Sequence, residues 1–200
     1  MEKRIIFATG NQNKMNEIRM ILEDLGMPIY SMKEVGVDVD IVEDGATFEE
    51  NAQIKAKAIA KYLPDDIVLA DDSGLEIDYL NKEPGIYSAR YAGVDTSYDI
   101  KNQMLLDRLE GVPDEKRTAR FVCAIAAAFP DGSVETVRGT IEGIIGHEIA
   151  GEHGFGYDPI FYVPEYGRTT AEMDPVQKNE LSHRGRALRA MRMVMERKEK

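Results

Sequence analysis

The chain has 200 residues, of which 43% are hydrophobic and 30% charged, a composition that fits a globular protein and excludes collagen-like and disordered chains. A typical domain has roughly 150 residues, so we expect a single domain over residues 1–200. The 36 Asp and Glu outnumber the 25 Lys and Arg and give a formal net charge of −11. We therefore expect no nucleic-acid partner, because binding to phosphate backbones requires Lys and Arg to replace counterions.

Strand and helix patterns alternate in the first part of the chain. Residues 4–8 form an apolar strand pattern. A helix is predicted over residues 13–25, where apolar side chains recur at helical spacing at Met15, Ile18, Ile21, Leu22 and Leu25. A second helix is predicted over residues 47–63, and it begins at Thr47, which has capping-box spacing to Glu50.

The later part of the chain combines a buried strand, a helix and a hairpin. Residues 67–70 form a buried strand pattern that is expected to end where the polar residues 71–74 begin. A third helix is predicted over residues 97–109. Residues 120–129 and 134–145 form long β patterns, and the Pro-Asp-Gly-Ser sequence between them predicts a hairpin turn.

A last helix is predicted to begin near Ser182. The combination of a βα start with a β-hairpin predicts an α/β (mixed α+β) fold built on a mixed sheet. No apolar run approaches the roughly 18 to 20 residues that cross a bilayer, so we expect no membrane partner. Residues 1–8 lead directly into a strand pattern and are not expected to be a signal peptide. With Cys123 as the single cysteine, these features favour a cytoplasmic protein without an internal disulfide.

The turn between the first strand and the first helix is a candidate phosphate site. The N-terminus of a helix presents N–H donors and the positive end of the helix dipole. Polar side chains and a cation lie at this turn, which consists of Thr9, Gly10, Asn11, Gln12, Asn13 and Lys14. The turn is not a Walker A loop, because the second glycine before the lysine is missing. A plain βα turn with polar caps remains the alternative.

A pair of carboxylates at the end of a buried strand is a candidate metal site. Asp71 and Asp72 precede Ser73, and acids in such a position are costly unless cations or a metal ion pair with them. Mg²⁺ prefers one or two carboxylates together with phosphate oxygens and water. Glu43 is a further acidic candidate, and Lys55 lies on the predicted second helix. The alternative is a polar turn that leaves the strand.

Two segments near the C-terminus are candidates for base recognition. A glycine-rich loop contains Phe155, which could stack on a base, followed by Gly156, Tyr157 and Asp158. Lys178 precedes a segment in which Ser182 would cap a helix that carries His183 and Arg184 in its first turn. Positive side chains oppose the dipole at that end of a helix, which favours a functional reason for them. A glycine-rich core turn and a capped surface helix are the alternatives.

These segments, in this order, resemble the non-canonical purine nucleoside triphosphate pyrophosphatases, the Ham1/RdgB-like inosine and xanthosine triphosphate pyrophosphatases. The resemblance covers essentially the whole chain. It rests on segments that are each of limited specificity and that together are highly specific: residues 9–14, 43–55, 70–75, 84–91, 154–161 and 182–185.

The resemblance implies an enzyme that hydrolyses ITP, dITP or XTP to the monophosphate and pyrophosphate and so cleanses the nucleotide pool. It implies an ITPase/Maf-like fold with a long mixed β-sheet, flanking helices and two lobes around a central cleft, and it implies a homodimer. Mg²⁺ is the expected cofactor, with Mn²⁺ as the alternative ion.

The resemblance also assigns roles to residues. Asp72 is the expected catalytic proton acceptor, and Glu43 and Asp72 are the expected metal ligands. The expected substrate-binding residues are Thr9, Gly10, Asn11, Gln12, Asn13, Lys14, Lys55, Ser73, Phe155, Gly156, Tyr157, Asp158, Lys178, His183 and Arg184. Two other functions remain open: a non-catalytic purine-nucleotide sensor on the same scaffold, and a Maf-like pyrophosphatase with another nucleotide specificity.

Overall fold

The computed structural model describes residues 4–23 and 26–198. Within this part of the chain, short strands and helices come first: β1 (Ile5–Phe7), α1 (Gln12–Leu22), β2 (Ile29–Ser31) and α2 (Phe48–Ala60). Long strands and a third helix follow: β3 (Ile67–Ile77), α3 (Tyr98–Arg108), β4 (Thr118–Ala128) and β5 (Val134–Ile145). The C-terminal part contains β6 (Phe161–Val163), β7 (Arg168–Thr169), α4 (Pro175–Leu181) and α5 (His183–Lys198).

The strands of the described residues form one sheet of seven strands in the order β2-β1-β3-β4-β5-β6-β7. Strand β1 pairs in parallel with β2 and β3, whereas β6 pairs antiparallel with β5 and β7. Tight turns at 129–133 join β4 to β5, with the Phe129 N–H donating to the Ser133 carbonyl oxygen. The predicted mixed sheet with flanking helices is therefore confirmed.

The predicted break in the third strand is wrong. We expected residues 71–74 to leave the strand, but β3 continues to Ile77 and carries Asp71 and Asp72 in its interior. The strand pattern is interrupted in the sequence by acidic residues that we interpreted as a turn. In the folded chain these carboxylates are paired with cations, so that the backbone can remain extended around them.

The helices are close to their predicted bounds. Helix α1 begins at Gln12, and its predicted end at Leu25 lies outside the described residues. Helix α2 begins after Thr47, whose side chain accepts from the Glu50 N–H as the capping box predicts, while Glu50 Oε2 accepts from the Ala46 N–H. Helix α4 and the short strands β2, β6 and β7 were not predicted, because each has too few residues to show a periodic pattern.

The chain divides into two compact units, each made of separate segments. Within the described residues, the first unit comprises residues 4–23, 26–73, 123–139 and 183–198. Its core contains Ile5, Phe7, Met15, Ile18, Leu22, Leu69, Cys123, Ile125, Leu188 and Met191, and α1 packs against α5. The expectation of one domain over residues 1–200 stays a prediction.

The second unit comprises residues 74–122 and 140–182 and has its own core. That core contains Leu75, Ile77, Leu105, Leu109, Phe121, Ile145, Tyr157, Ile160, Phe161 and Met173. Arg117 lies fully buried here and donates to the carbonyl oxygens of Leu109, Ile145 and Gly146, so that it joins the end of α3 to the end of β5. No helix within residues 4–23 and 26–198 is long and apolar enough to cross a membrane.

The Cys123 thiol provides a test of the first core. Burial raises the pKa of this thiol to about 12, so that it stays protonated at neutral pH, and no reagent can reach it while the fold is closed. We expect the native protein to show no fast reaction with a disulfide reagent, and to react with one equivalent after unfolding in guanidinium chloride. Rapid reaction of the native protein at pH 8 would contradict the buried position.

Candidate active site

The predicted phosphate turn lies between β1 and α1 in the first unit. Asn11 is the N-cap of α1, and its side-chain oxygen accepts from the N–H groups of Asn13 and Lys14 at 2.9 and 3.2 Å. Thr9 Oγ1 accepts from the Asn11 N–H at 3.1 Å. Two of the helix N–H groups that we expected to bind phosphate are thus occupied by the cap. Gly10, Asn11, Gln12 and Asn13 are exposed, Thr9 is buried, and Lys14 is half-buried.

Lys14 and Arg184 converge on the buried carboxylate of Asp71. Lys14 Nζ lies 3.0 Å from Asp71 Oδ2, and Arg184 Nη2 lies 3.5 Å from the same oxygen and 3.1 Å from Ser73 Oγ. Arg184 also forms an ion pair with Glu17 on α1. Burial alone would raise the pKa of Asp71, but Lys14 and Arg184 outweigh it and hold that pKa well below its usual range. Asp71 is therefore a permanent anion that anchors two cations.

Glu43, Lys55 and Asp72 form a second group in the same unit. Lys55 Nζ lies 3.0 Å from Glu43 Oε2 and 3.8 Å from Asp72 Oδ1. Asn51 donates to Asp72 Oδ2 at 3.1 Å and accepts from the Gly45 N–H, so that it links Asp72 to the loop after Glu43. Burial raises the pKa of the Asp72 carboxyl, and the nearby charge of Lys55 opposes this effect.

The chemistry of this second group fits a divalent cation. The described residues contain no cluster of three or more His, Cys, Asp or Glu side chains that would form a complete protein-only site. Two carboxylates that share one ammonium nevertheless match the ligands that Mg²⁺ takes from proteins, because Mg²⁺ completes its shell with phosphate oxygens and water. Glu43 and Asp72 are therefore the side chains of this group that could supply carboxylate oxygens to such an ion.

Helix α5 brings His183 and Arg184 into the first unit. The helix begins at His183, directly after Ser182, as the predicted cap position requires. Both side chains are buried. Strand β5 approaches the start of α5 so closely at Gly139 that a Cβ there would lie 2.3 Å from the His183 carbonyl oxygen. Gly139 thus sets the distance between the strand and the helix start.

The remaining predicted residues form a group in the second unit. Asp158 Oδ2 accepts from Lys178 Nζ at 2.7 Å and from the Phe155 N–H at 2.8 Å. The Lys178 ammonium lies 4.9 Å from the centroid of the Phe155 ring, which is half-buried. Tyr157 points into the core, where its hydroxyl donates to the Ser88 carbonyl oxygen. The Gly156 carbonyl oxygen accepts from the side chain of Asn102.

Several residues of these groups received no role from the sequence. Asn51 shares a helix face with Lys55 and lies in the segment 43–55 that carries the resemblance, but no function was assigned to it. Glu17 lies three residues after Lys14, so that helical spacing could have indicated it. Thr170 donates to Asp158 Oδ1 at 2.8 Å. No sequence signal connects Thr170 to Asp158, because the two residues lie twelve positions apart with strands β6 and β7 between them.

Comparison with known proteins identifies the family. A sequence model of the Ham1 family matches residues 5–194. The chain belongs to the Ham1 family. The resemblance drawn from the motifs is thereby confirmed, and the match includes every residue of the groups described above.

Individual Ham1 relatives and structures are similar over nearly their whole length. A dITP/XTP pyrophosphatase from Clostridium perfringens is 49% identical over 195 residues, which cover 95% of this chain and 96% of the relative. A dITP/XTP pyrophosphatase from Bacillus subtilis is 46% identical over 194 residues, which cover 97% of this chain and 98% of the relative. The structure of the Staphylococcus aureus Ham1 protein is 43% identical, with a TM-score of 0.87 over 98% of this chain and 100% of that chain.

The close approach at Gly139 can be tested by adding one methyl group. In Gly139→Ala, the new Cβ would also lie 2.6 Å from the Ala187 backbone nitrogen, so strand and helix must separate. We expect a loss of about 2 kcal/mol in the free energy of unfolding in urea. Gly146→Ala is the matched control, because the nearest atom to its new Cβ lies at 3.7 Å. Equal unfolding midpoints for the two variants would contradict the proposed constraint.

Proposed function

We propose that this chain hydrolyses non-canonical purine nucleoside triphosphates, namely ITP, dITP and XTP, to the monophosphate and pyrophosphate. The observation that carries the proposal is the arrangement of Glu43 and Asp72 around Lys55, two carboxylates and a cation that suit a triphosphate with its metal ion. The relatives that cover almost the whole chain are named dITP/XTP pyrophosphatases, which supports the same activity. The reaction would remove deaminated purines from the nucleotide pool.

The proposed cofactor is Mg²⁺, with Mn²⁺ as the alternative ion, held by Glu43 and Asp72. When bound, the ion would offset the charge of the phosphates and orient a water molecule. The ion pairs of the two lysines in the first unit support the requirement for a divalent ion. Lys14 and Lys55 are already paired with carboxylates, so a triphosphate adds negative charge that these lysines do not fully offset.

Asp72 is the proposed proton acceptor for the attacking water. Its oxygen would take a proton while the water oxygen forms a bond to the α-phosphorus, and the bond from that phosphorus to the bridging oxygen would break to release pyrophosphate. A carboxyl whose pKa is raised by burial is a better base than an exposed one. Lys55 and Asn51, which contact Asp72, would hold the carboxylate in position.

The remaining residues are proposed to bind the substrate. Residues 9–14 and Lys55 would contact the phosphates through N–H groups and ammonium charges, with Ser73 beside them. Phe155 would stack on the base, and Asp158 and Lys178 would hold its edge. The buried side chain of Tyr157 would act by fixing the loop that carries Phe155 and Gly156.

The proposed preference for ITP and XTP follows from hydrogen-bond donors. These bases have a 6-oxo acceptor, whereas adenine has a 6-amino donor at the same place. His183 and Arg184 would offer donors to an oxo group. Adenine would place a donor against donors, and such buried mismatches are rejected strongly.

We further propose that the protein acts in the cytoplasm as a homodimer. The second unit supports a self-association surface, because α3 exposes Ile100 and Met104 on one face and Tyr87 is exposed on the nearby turn. Apolar side chains grouped on a surface often mark a protein interface.

Pyrophosphate release from a nucleotide panel tests the proposed activity. With Mg²⁺, we expect fast release from ITP, dITP and XTP, release from ATP that is slower by about two orders of magnitude or more, and no release after EDTA treatment. If no nucleotide of the panel released pyrophosphate while ITP still bound, the protein would be a nucleotide sensor and not an enzyme. Release confined to pyrimidine nucleotides would indicate a Maf-like specificity.

Asp72→Asn tests the proton acceptor. We expect kcat for ITP to fall by about 10²-fold or more, because the amide neither accepts the proton nor carries the charge that the ion needs. Asp66→Asn is the matched control: Asp66 is a buried aspartate of the same unit whose partner is Arg4, and kcat should stay within about twofold of the wild type. Full activity of Asp72→Asn would refute the assignment of the base.

A further inference from the structure

A single buried amide connects the two segments that carry the candidate metal ligands of the first unit. Asn51 is 1% exposed, and its Nδ2 donates to Asp72 Oδ2 at 3.1 Å. Its Oδ1 accepts from the Gly45 N–H at 2.9 Å, and Gly45 lies two residues after Glu43. One end of the amide therefore contacts strand β3, and the other end contacts the loop that leads into α2.

This amide has only one orientation that satisfies both contacts. A backbone N–H is a donor and an ionised carboxylate is an acceptor, so the amide must present its oxygen to Gly45 and its nitrogen to Asp72. Rotation of the amide by half a turn would place donor against donor at one end and acceptor against acceptor at the other. Because Asn51 is buried, such mismatches would leave desolvated polar groups unpaired. The side chain is therefore a fixed connection between the two segments.

The loop after Glu43 can approach α2 because residue 45 has no side chain. A Cβ at Gly45 would lie 2.7 Å from Asn51 Oδ1 and 2.8 Å from the Glu50 Cβ. The capping contacts of Glu50 hold the next two residues of the loop at the same helix end. Helix α2 thus fixes three consecutive loop residues directly after the segment that carries Glu43.

Asn51 differs from Lys55, the other residue of α2 that contacts Asp72, because its amide carries no charge. It can hold the carboxylate in position without repelling a cation that binds beside it. We propose that Asn51 is the positioning residue of the candidate metal ligands: its amide holds the Glu43 loop and the Asp72 carboxylate together before a nucleotide binds. The inference rests on the proposed function, since it assigns the divalent ion to Glu43 and Asp72.

The test is the binding of Mn²⁺ to the nucleotide-free protein, with the free ion measured by electron paramagnetic resonance. Asn51→Leu keeps a side chain of similar size and removes both hydrogen bonds. We expect its Kd for Mn²⁺ to rise by about tenfold or more, the usual effect of removing a residue that orients a metal ligand. With ITP, the half-activating Mg²⁺ concentration should rise by about the same factor. The kcat at saturating Mg²⁺ should stay within about threefold of the wild type, because the bound ion then orients both carboxylates.

Gly45→Ala tests the other end of the connection. It keeps the Asn51 side chain and forces the loop away from it, so we expect a similar rise in the Kd for Mn²⁺. If both substitutions break one connection, the double variant should bind Mn²⁺ within about twofold of the weaker single variant. Gly45→Ala also provides the test should Asn51→Leu fail to fold, as judged by circular dichroism.

Gln53→Leu is the matched control. Gln53 lies two residues after Asn51 on α2 and is half-buried, and its amide donates to Thr136 Oγ1 at 3.0 Å, a contact outside the groups described above. This variant loses a side-chain amide of the same helix. Its Kd for Mn²⁺ should stay within about twofold of the wild type.

The titrations distinguish a connection between the two ligands from a general effect on α2. Unchanged Mn²⁺ binding by Asn51→Leu or Gly45→Ala, an equal loss for Gln53→Leu, or losses that multiply in the double variant would overturn the inference. A nucleotide-free wild type that binds no Mn²⁺ would also overturn it, because the ligands would not be arranged in advance. The expected Mn²⁺ binding without pyrophosphate release from any nucleotide would refute the proposed function alone, and the titrations would still decide the role of Asn51.

Discussion

Two adjacent carboxylates buried within strand β3 set the main constraint on the first unit. Removing a carboxylate from water costs several kcal/mol unless a cation compensates for it. The compensating charges come from α1, α2 and α5 as Lys14, Lys55 and Arg184. These helices lie far apart in the sequence, so the fold must bring three distant segments to β3 before the strand can be buried.

Because neighbouring residues of a strand point to opposite faces, the two carboxylates have different surroundings. Asp71 lies against Lys14 and Arg184, which lower its pKa although burial acts in the other direction. Asp72 lies near Lys55, but burial dominates and its pKa is raised. One strand thus supplies an anion that organises cations and a carboxyl that is suited to accept a proton. This division supports the proposed choice of Asp72 over Asp71 as the base.

Periodic elements were predictable from the sequence, and contacts between distant residues were not. Helices α1, α2 and α3 and strand β5 show enough repeats of their spacing to be found with nearly correct bounds. Strand β3 was predicted to be shorter than it is, because a local pattern cannot show that Lys14 and Arg184 neutralise its acidic side chains. The motifs singled out Glu43, Lys55 and Asp72, and the structure places these three side chains in one group of ion pairs. The contact of Thr170 with Asp158 depends on the packing of a loop on a turn, which no local pattern encodes.

The pairing of the cations also bears on how a triphosphate could bind. We expected Lys14 and Arg184 to offer their charge to substrate, yet both are engaged by Asp71, and Arg184 also by Glu17. A phosphate that approaches Lys14 must share the ammonium with Asp71, which weakens the gain from that contact. A cation that accompanies the substrate would compensate for this weaker contact. The ion pairs of the first unit therefore support the proposed dependence on a divalent ion, as do its two candidate ligands.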